Sequence, residues 1–321
     1  MSPQNSLILT NSKDITSDYL CNKLKEEGVR YVRYNTDLDY SGTTFLYKGN
    51  TPQIKWGDNT LTPDQVSSLV FRRPKPIDIN SDIDYHTAEH VRSEWSEALE
   101  GFLAHINQNL WINHPAMNCM ASHKIEQISS AKACGLNVPS TLVTNNPDTA
   151  HEFIRSQKNG TIVKPLASGF IERDTNDTLI YTRSFEKKHF KILNLIRECP
   201  VMFQSRVPKA FDVRITVLDE TMIAVALYGE DNNNLQRLDI RRNNMLDVKY
   251  SLIEIPSYVV NSITNFLKLY SLRFGALDFA VTEEEDWFFF EINPNGQWAW
   301  LDIYAQAGIS KAFAKTLRIK N

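Results

Sequence analysis

The chain has 321 residues, of which 42% are hydrophobic and 23% are charged, and its formal net charge at pH 7 is -3. This composition is typical of a globular protein and excludes a disordered chain, and the length suits one large enzyme or two to three small subdomains. The mild charge disfavours a nucleic-acid-binding protein, which usually carries a basic patch or a high isoelectric point.

The cysteines and the N-terminus indicate a cytoplasmic protein. The four cysteines form no CxxC pair and no Cys/His cluster with zinc spacing, which predicts reduced thiols in a reducing compartment. The apolar run at residues 7–9 has no basic region before it, and no stretch reaches the ~18 apolar residues that span a bilayer. We therefore expect a soluble, cytoplasmic protein without a membrane segment.

The first segment, residues 1–117, has the pattern of an α/β unit. Strands are predicted at 7–9, 29–34 and 69–71, a hairpin at 45–47 and 53–56, and helices at 14–27 and 84–107. Gly28 ends the first helix and Pro74 stops the third strand, as these residue types commonly do. In the long helix the apolar positions repeat every three or four residues, which predicts one buried face.

Two further segments, residues 118–200 and 201–321, follow a predicted boundary near Pro115. The second should contain helices at 121–134, 148–157 and 186–197 and strands at 140–144, 161–164 and 179–182. The third is rich in strands, predicted at 201–205, 212–218, 221–228, 276–281 and 287–292, with a helix at 258–269. The whole chain is thus of the α/β (α+β) class.

The last predicted hairpin carries the strongest chemical signal. Side chains two apart on a strand share a face, so Glu291 and Asn293 point the same way, and pairing Val281 with Phe288 puts Asp278 opposite Glu291. Like charges in that position are destabilising without a cation between them. Carboxylate and amide oxygens suit Mg²⁺, so the hairpin predicts a magnesium site, with pairing of the carboxylates to Arg or Lys as the alternative.

The same register also divides the apolar residues of the hairpin. Phe289 would share the polar face with Glu291. The opposite, wholly apolar face would collect Leu277, Phe279, Val281, Phe288, Phe290 and Ile292.

Two lysines are candidates for binding phosphate. No GxxxxGK[ST] loop occurs, and no GxGxxG follows a strand, so the P-loop and Rossmann signatures are missing. Lys124 lies early in a predicted helix, and Lys164 ends a buried strand, where its charge must reach water or an anion. The small-residue loop 167–169 can bring backbone amides to a phosphate. For Lys164 the alternative is a side chain that merely reaches solvent.

A nucleotide-binding hinge is predicted next. The strand at 201–205 stops before Pro208, which leaves backbone groups near Val207 free to pair with adenine. Asp212 and Arg214 then share one face of the following strand, where the acid can hold ribose hydroxyls and the arginine a phosphate or acyl phosphate. An Asp212–Arg214 surface ion pair is the alternative.

The order of these pieces resembles the ATP-grasp superfamily. From about residue 118 onward, two lysines, a hinge at 204–207, an acid-x-arginine strand, a strand aspartate and a Glu-x-Asn pair follow one another as in that family. The segment 1–117 is similar to its pre-grasp domain. Residues 70–74, the long helix after them and residues 291–298 most resemble the peptide macrocyclases that make microviridins and related graspetides.

This resemblance implies a ligase that uses ATP and Mg²⁺, acts on a precursor peptide with a leader and a core rich in Thr, Glu and Asp, and often forms a homodimer. It would phosphorylate Asp or Glu side chains and join them to Thr or Ser as esters or to Lys as amides. By this resemblance Lys124 and Lys164 would bind the α- and β-phosphates, and Asp278, Glu291 and Asn293 would bind Mg²⁺. Adenine and ribose would be bound by Gln204, Arg206, Val207 and Asp212. Arg214 and Arg241 would steady the γ-phosphate, the acyl phosphate and the carboxylate. Asp239 is a candidate general base, with an ion pair to a neighbouring Arg as its alternative.

The chain departs from the family pattern at two places. An Asp-Trp-Arg motif near the peptide site is replaced by Asp239-Ile240-Arg241, and the hinge lacks the glutamate that often follows Gln204. Two rival functions stay open. One is an ATP-grasp ligase that joins an amine to a protein tail or a small carboxylate, and the other is an idle nucleotide-binding scaffold. Retention of both lysines and all three metal ligands disfavours the scaffold.

Overall fold

The computed structural model describes residues 4–38, 42–79, 82–167, 169–171, 178–229, 238–242 and 245–318. The described chain combines helices with parallel and antiparallel sheets, as expected for the α/β (α+β) class. Among these residues no helix is long and apolar enough to cross a membrane.

The N-terminal unit is built on a parallel sheet in the order β2-β1-β6-β7. Its elements are β1 (Asn5–Thr10), α1 (Ile15–Glu26), β2 (Tyr31–Asn35), β3 (Thr43–Leu46), β4 (Gln53–Trp56), β5 (Asn59–Leu61), β6 (Val66–Phe71), α2 (Tyr85–Leu103) and β7 (Trp111–Ile112). Strands β3, β4 and β5 form a separate antiparallel sheet. The Asp84 side chain begins α2 by accepting hydrogen bonds from the backbone amides of His86 and Thr87.

Both faces of the parallel sheet are buried, as is usual for parallel strands. On β1, Leu7 and Leu9 face a core that includes Phe102 of α2, whereas Ile8 faces a second core. That second core also contains Phe313 near the C-terminus, so the first and last parts of the chain fold against each other.

A four-stranded antiparallel sheet in the order β12-β9-β13-β8 forms the centre of the chain. The central elements are α3 (Pro115–Ala121), α4 (Lys124–Ala133), β8 (Thr141–Thr144), α5 (Pro147–Ser156), β9 (Thr161–Lys164), β10 (Phe170–Ile171), β11 (Thr178–Leu179), β12 (Arg183–Ser184), a 3₁₀ helix (Lys187–Glu198) and β13 (Val201–Ser205). Strand β13 lies beyond the predicted boundary at residue 201 yet pairs with β8 and β9. The domain limits therefore stay predictions.

Pro115, near the predicted boundary, begins α3, because proline at the first helical position gives up an amide that would have no partner there. Three sequence-based assignments in this region were wrong in detail. The helix predicted at 121–134 begins only at Lys124. The strand predicted at 179–182 is replaced by the ends of two short strands, and the helix predicted at 186–197 has 3₁₀ geometry.

The C-terminal unit is a five-stranded antiparallel sheet in the order β16-β15-β14-β17-β18. Its elements are β14 (Lys209–Leu218), β15 (Thr221–Tyr228), β16 (Lys249–Ile253), α6 (Ser257–Leu269), β17 (Phe274–Thr282), β18 (Trp287–Asn293), α7 (Ala299–Ala305) and α8 (Ile309–Leu317). One face packs on α6 through residues such as Ile215, Leu277 and Phe266. The other face carries the polar residues of the candidate site.

Candidate active site

A row of charged residues crosses three neighbouring strands. Arg214 on β14 lies opposite Asp278 on β17, and Asp278 lies opposite Glu291 on β18. The predicted pairing of Asp278 with Glu291 is therefore confirmed. Asn293 follows at the end of β18 and lines the same cavity.

The predicted register of the hairpin was wrong on one side of this row. Val281 pairs with Trp287 instead of Phe288, and a β-bulge falls between Asp278 and Phe279. The extra residue of β18 reverses which phenylalanines are buried. Phe289 is fully buried in the core, whereas Phe290 lines the cavity.

Phe290 is thus a site residue that the sequence pattern placed on the wrong face. The Lys164 Nζ atom lies 4.2 Å from the centroid of the Phe290 ring, within the range of a cation–π contact. Burial lowers the pKa of Lys164 to about 8, and the lysine is held beside the carboxylate row at the end of β9.

A cavity of about 540 Å³ lies over this row. Eleven of the twelve predicted site residues line it: Lys124, Lys164, Arg206, Val207, Asp212, Arg214, Asp239, Arg241, Asp278, Glu291 and Asn293. Gln204 is the exception. It is fully buried, and its side-chain amide donates to Thr141 Oγ1 at 3.0 Å.

The inner end of the cavity is suited to an anion. Arg214 Nε and Nη1 are buried and make no hydrogen bond among the described residues, although Nε lies 3.3 Å from Asp278 Oδ1. Buried guanidinium donors without acceptors are costly, and phosphate oxygens would satisfy them. These orphaned donors fit the polyphosphate of ATP.

The first lysine connects the helix α4 to the loop that follows β9. Lys124 Nζ donates to the Pro165 carbonyl at 2.8 Å and lies 3.5 Å from Glu291 Oε2. Gly169 belongs to this loop, and a Cβ there would lie 2.5 Å from the Ile180 carbonyl oxygen, so only glycine fits this close approach. Ser168, which completes the predicted small-residue loop, lies outside the described residues.

The predicted ribose-binding carboxylate has a partner that sequence reasoning missed. Lys209 Nζ donates to both Asp212 oxygens, at 2.6 and 2.7 Å, so the predicted alternative of an Asp212–Arg214 surface pair was wrong. Burial raises the pKa of Asp212 against the opposing charge of Lys209. The sequence signal for this ion pair was the spacing of three residues between Lys209 and Asp212. That spacing alone does not predict the contact, because an irregularity near the start of β14 determines which side chains meet.

Asp239 is tied to Arg241, as its alternative interpretation expected. Arg241 Nε and Nη2 donate to the two Asp239 oxygens at 2.9 and 2.7 Å, and the Thr182 backbone amide donates at 3.1 Å. Burial alone would raise the pKa of Asp239, but the bonds from Arg241 and the Thr182 amide lower it to about 2. A carboxylate with so low a pKa is a weak general base at neutral pH.

The Asp278–Glu291–Asn293 donor set fits Mg²⁺. The contacts of Asp278 with Arg214 and of Glu291 with Lys124 exceed the about 2.7–2.9 Å of a charge-assisted hydrogen bond, which leaves lone pairs for a metal. Burial raises the pKa of Asp278 to about 6, with the Glu291 charge adding to the rise. Mg²⁺ commonly takes one or two carboxylates and completes its shell with water and phosphate oxygens.

Solved structures of known proteins resemble this chain over nearly its whole length. Macrocyclase MdnC from Microcystis aeruginosa MRC, solved with the precursor peptide MdnA, is 26% identical, with a TM-score of 0.83 over 98% of this chain and 99% of that chain. Macrocyclase MdnB from the same organism is also 26% identical, with a TM-score of 0.78 over 99% and 100%.

A RiPP-associated ATP-grasp ligase from Chryseobacterium gregarium, solved with ADP and a leader and core peptide, shares the fold. It is 24% identical, with a TM-score of 0.86 over 98% of this chain and 96% of that chain. No curated protein matches the chain. A family model described as the MvdD pre-ATP grasp domain matches residues 5–118. The chain therefore has the fold of these ATP-grasp ligases, and its residues 5–118 match the MvdD pre-ATP grasp domain.

Proposed function

We propose that this chain is an ATP-dependent, ADP-forming ligase that crosslinks side chains of a ribosomally made precursor peptide. The observation that carries the proposal is the row Arg214–Asp278–Glu291, with Lys124 and Lys164 beside it, at the inner end of the cavity. Buried cationic donors that lack acceptors adjoin a pair of carboxylates there, as binding of a metal-bound polyphosphate requires.

The reaction has two steps. An oxygen of an Asp or Glu side chain of the peptide attacks the γ-phosphorus of ATP, the bond to the β,γ-bridging oxygen breaks, and ADP leaves. A Thr or Ser hydroxyl, or a Lys amine, then attacks the carbonyl carbon of the acyl phosphate. Inorganic phosphate leaves with the bonding electrons, the nucleophile loses its proton, and an ester or amide remains.

The residues of this chain contribute mainly position and charge. Lys124 and Lys164 would hold the α- and β-phosphates, and the two orphaned donors of Arg214 would bind the transferred group. The hydrogen bonds to Asp239 raise the pKa of Arg241 despite its burial, and Arg241 would orient the peptide carboxylate. Asp239 is better suited to hold Arg241 than to remove a proton.

The remaining contacts concern the nucleotide and the metal. The Val207 backbone, with Arg206, would receive adenine at the hinge, and the Asp212–Lys209 pair would lie near the ribose. Gln204 can join them only if its side chain turns from Thr141 toward the cavity. Bound through Asp278, Glu291 and Asn293, Mg²⁺ would supply charge that offsets the negative charge of the phosphates.

The proposed partner is a precursor peptide with a leader and a core rich in Thr, Glu and Asp. The precursor and leader peptides solved with MdnC and the Chryseobacterium ligase support this choice. A ribosomal substrate and a need for ATP both favour a cytoplasmic enzyme, and a homodimer stays a prediction. Mass spectrometry tests the proposal: a candidate Thr- and Asp/Glu-rich peptide, sought among the neighbouring genes, is incubated with enzyme, ATP and Mg²⁺.

The expected product has lost the mass of one water for each crosslink, and base hydrolysis then separates esters from amides. The matched control is the Glu291→Gln enzyme, which keeps side-chain volume and should leave the peptide mass unchanged. An unmodified peptide, with ADP formed only when free amino acids or another carboxylate are supplied, would favour the rival ligase that acts on an amine and a protein tail or small molecule.

A further inference from the structure

The segment that follows the metal strand is held by a buried arginine of the N-terminal domain. Arg72 lies directly after β6, more than two hundred residues away in sequence, and is 3% exposed. Its Nη1 donates to the carbonyls of Asn295 and Gly296 at 3.2 and 2.9 Å, and its Nη2 donates to Gln297 Oε1 at 2.6 Å. One guanidinium thus binds three consecutive residues that begin two positions beyond Asn293.

A buried carboxylate fixes this arginine from the other side. Arg72 Nε lies 3.1 Å from Asp14 Oδ2, and Asp14 is 4% exposed. The same carboxylate oxygen accepts hydrogen bonds from Thr10 at 3.0 Å and Ser17 at 2.7 Å. Burying an ion pair contributes little net stability compared with apolar packing, so its geometry calls for a further reason. A planar guanidinium directed at three acceptors gives orientation that an apolar contact cannot.

Other buried amides hold the same strand end. Asn113 Nδ2 donates to the Pro294 and Phe274 carbonyls at 3.1 and 2.9 Å, and so links the start of β17 to the end of β18. Gln127 of α4 pairs with both the amide and the carbonyl of Ile292, at 3.1 and 3.0 Å. The backbone on both sides of Asn293 is therefore bonded to side chains from outside the hairpin.

We propose that Arg72 is a positioning residue for the metal site: it fixes residues 295–297 and thereby sets Asn293 beside Asp278 and Glu291. The proposal rests on the proposed function, because it takes these three residues as the metal ligands. It makes metal affinity depend on how the pre-ATP-grasp domain sits against the end of β18. A side chain that orients a ligand typically changes metal affinity by ~10–100-fold when it is altered.

The test is Arg72→Lys, measured by titration of Mn²⁺ against the enzyme in the presence of ADP, with free Mn²⁺ followed by electron paramagnetic resonance. Lysine keeps the charge beside Asp14 but cannot reach three acceptors at once. We expect Mn²⁺ to bind at least about tenfold more weakly. ADP affinity measured in EDTA should stay unchanged, because Arg72 does not line the nucleotide cavity.

The matched control is Arg273→Lys. The Arg273 side chain also connects the N-terminal domain to the C-terminal sheet, through Asn109 and Asp219, but among the described residues its hydrogen bonds do not include residues 294–297. It should lose some thermal stability while its Mn²⁺ affinity stays at the wild-type value. If Arg72→Lys does not fold, Gln297→Ala removes one acceptor, keeps the buried ion pair, and should weaken Mn²⁺ binding to a smaller extent.

Equal Mn²⁺ affinity in wild type and in a folded Arg72→Lys enzyme would overturn the positioning role, and equal weakening in Arg273→Lys would reduce it to general stability. A wild-type enzyme that binds ADP but no Mn²⁺ would instead overturn the metal-site assignment, and with it the proposed function.

Discussion

Asp278 lies directly opposite Glu291 on neighbouring antiparallel strands, although two like charges in that position repel each other. The arrangement persists because cations surround it. Arg214 lies beside Asp278 on one side of the pair, and Lys124 and Lys164 lie near Glu291 on the other. Burial would raise the pKa of Glu291, but the charges of the two lysines outweigh burial and lower it. A site of this kind has little value for stability alone and is well suited to a divalent cation carrying phosphates.

Replacing Glu291 by glutamine should abolish turnover without unfolding the protein. The substitution removes one negative charge from the metal donor set and preserves volume, so we expect kcat to fall by at least about 100-fold, or about 2.7 kcal/mol of barrier. ADP release with the precursor peptide measures this loss. Glu284→Gln, on the exposed turn of the same hairpin, is the control and should keep wild-type activity. Full activity in Glu291→Gln would refute the metal site.

The pH dependence of ATP use should reveal Lys164. Since burial lowers its pKa to about 8, this lysine loses its charge as pH rises through that value, and its attraction for phosphate declines with it. We therefore expect kcat/KM for ATP to fall above about pH 8 in the wild type. Lys164→Arg keeps its charge throughout this range and should lack that limb of the profile. If kcat/KM for ATP falls above about pH 8 in both the wild type and a folded Lys164→Arg enzyme, the titrating group is not Lys164.

The Asp239–Arg241 pair should contribute acid-sensitive stability. The pKa of Asp239 is about 2 in the folded protein against the ordinary value of 3.8, so its contribution to stability is complete well above pH 3.8 and is lost as pH falls toward 2. Asp239→Asn should cost about 2 kcal/mol at about pH 6 and roughly half as much at about pH 3. Urea unfolding of both proteins at the two pH values measures this change. A difference that is independent of pH would show that the carboxylate is not selectively stabilised in its charged form.

Gly296 should tolerate no side chain. A Cβ at this position would lie 2.4 Å from the Cβ of Ala276, which is fully buried and has no room to move. Gly296→Ala should therefore destabilise the fold by about 1–3 kcal/mol, as overpacking does. Gly101→Ala is the matched control, since its added Cβ meets nothing within 4 Å and lies in a helix, where alanine is favoured by up to ~1 kcal/mol. Thermal unfolding should move in opposite directions for the two variants.

The Asp278–Glu291 pair was predicted correctly, because each is the one charged residue of a mostly apolar strand, although the Val281–Phe288 pairing used to align the strands was wrong. Residue spacing failed for Phe290, because a single bulged residue shifts the strict period of two and no local residue marks the bulge. The ion pair of Lys209 with Asp212 was missed for a similar reason, because an irregularity near the start of β14 also shifts the strand period. The role of Arg72 depends on contacts across more than two hundred residues, which no local pattern contains. Gln204 was assigned by family position, but its amide orientation is set by Thr141 on a neighbouring strand.

If the cavity activates a peptide carboxylate by phosphorylating it, one oxygen of that carboxylate must pass to the inorganic phosphate. To follow this oxygen, the precursor peptide is labelled with heavy oxygen in its Asp and Glu carboxylates and incubated with enzyme, ATP and Mg²⁺, and the inorganic phosphate is analysed by mass spectrometry. We expect one heavy oxygen in the phosphate for each crosslink, since the carboxylate oxygen leaves with the phosphoryl group. Crosslinked peptide with unlabelled phosphate would contradict activation by phosphorylation.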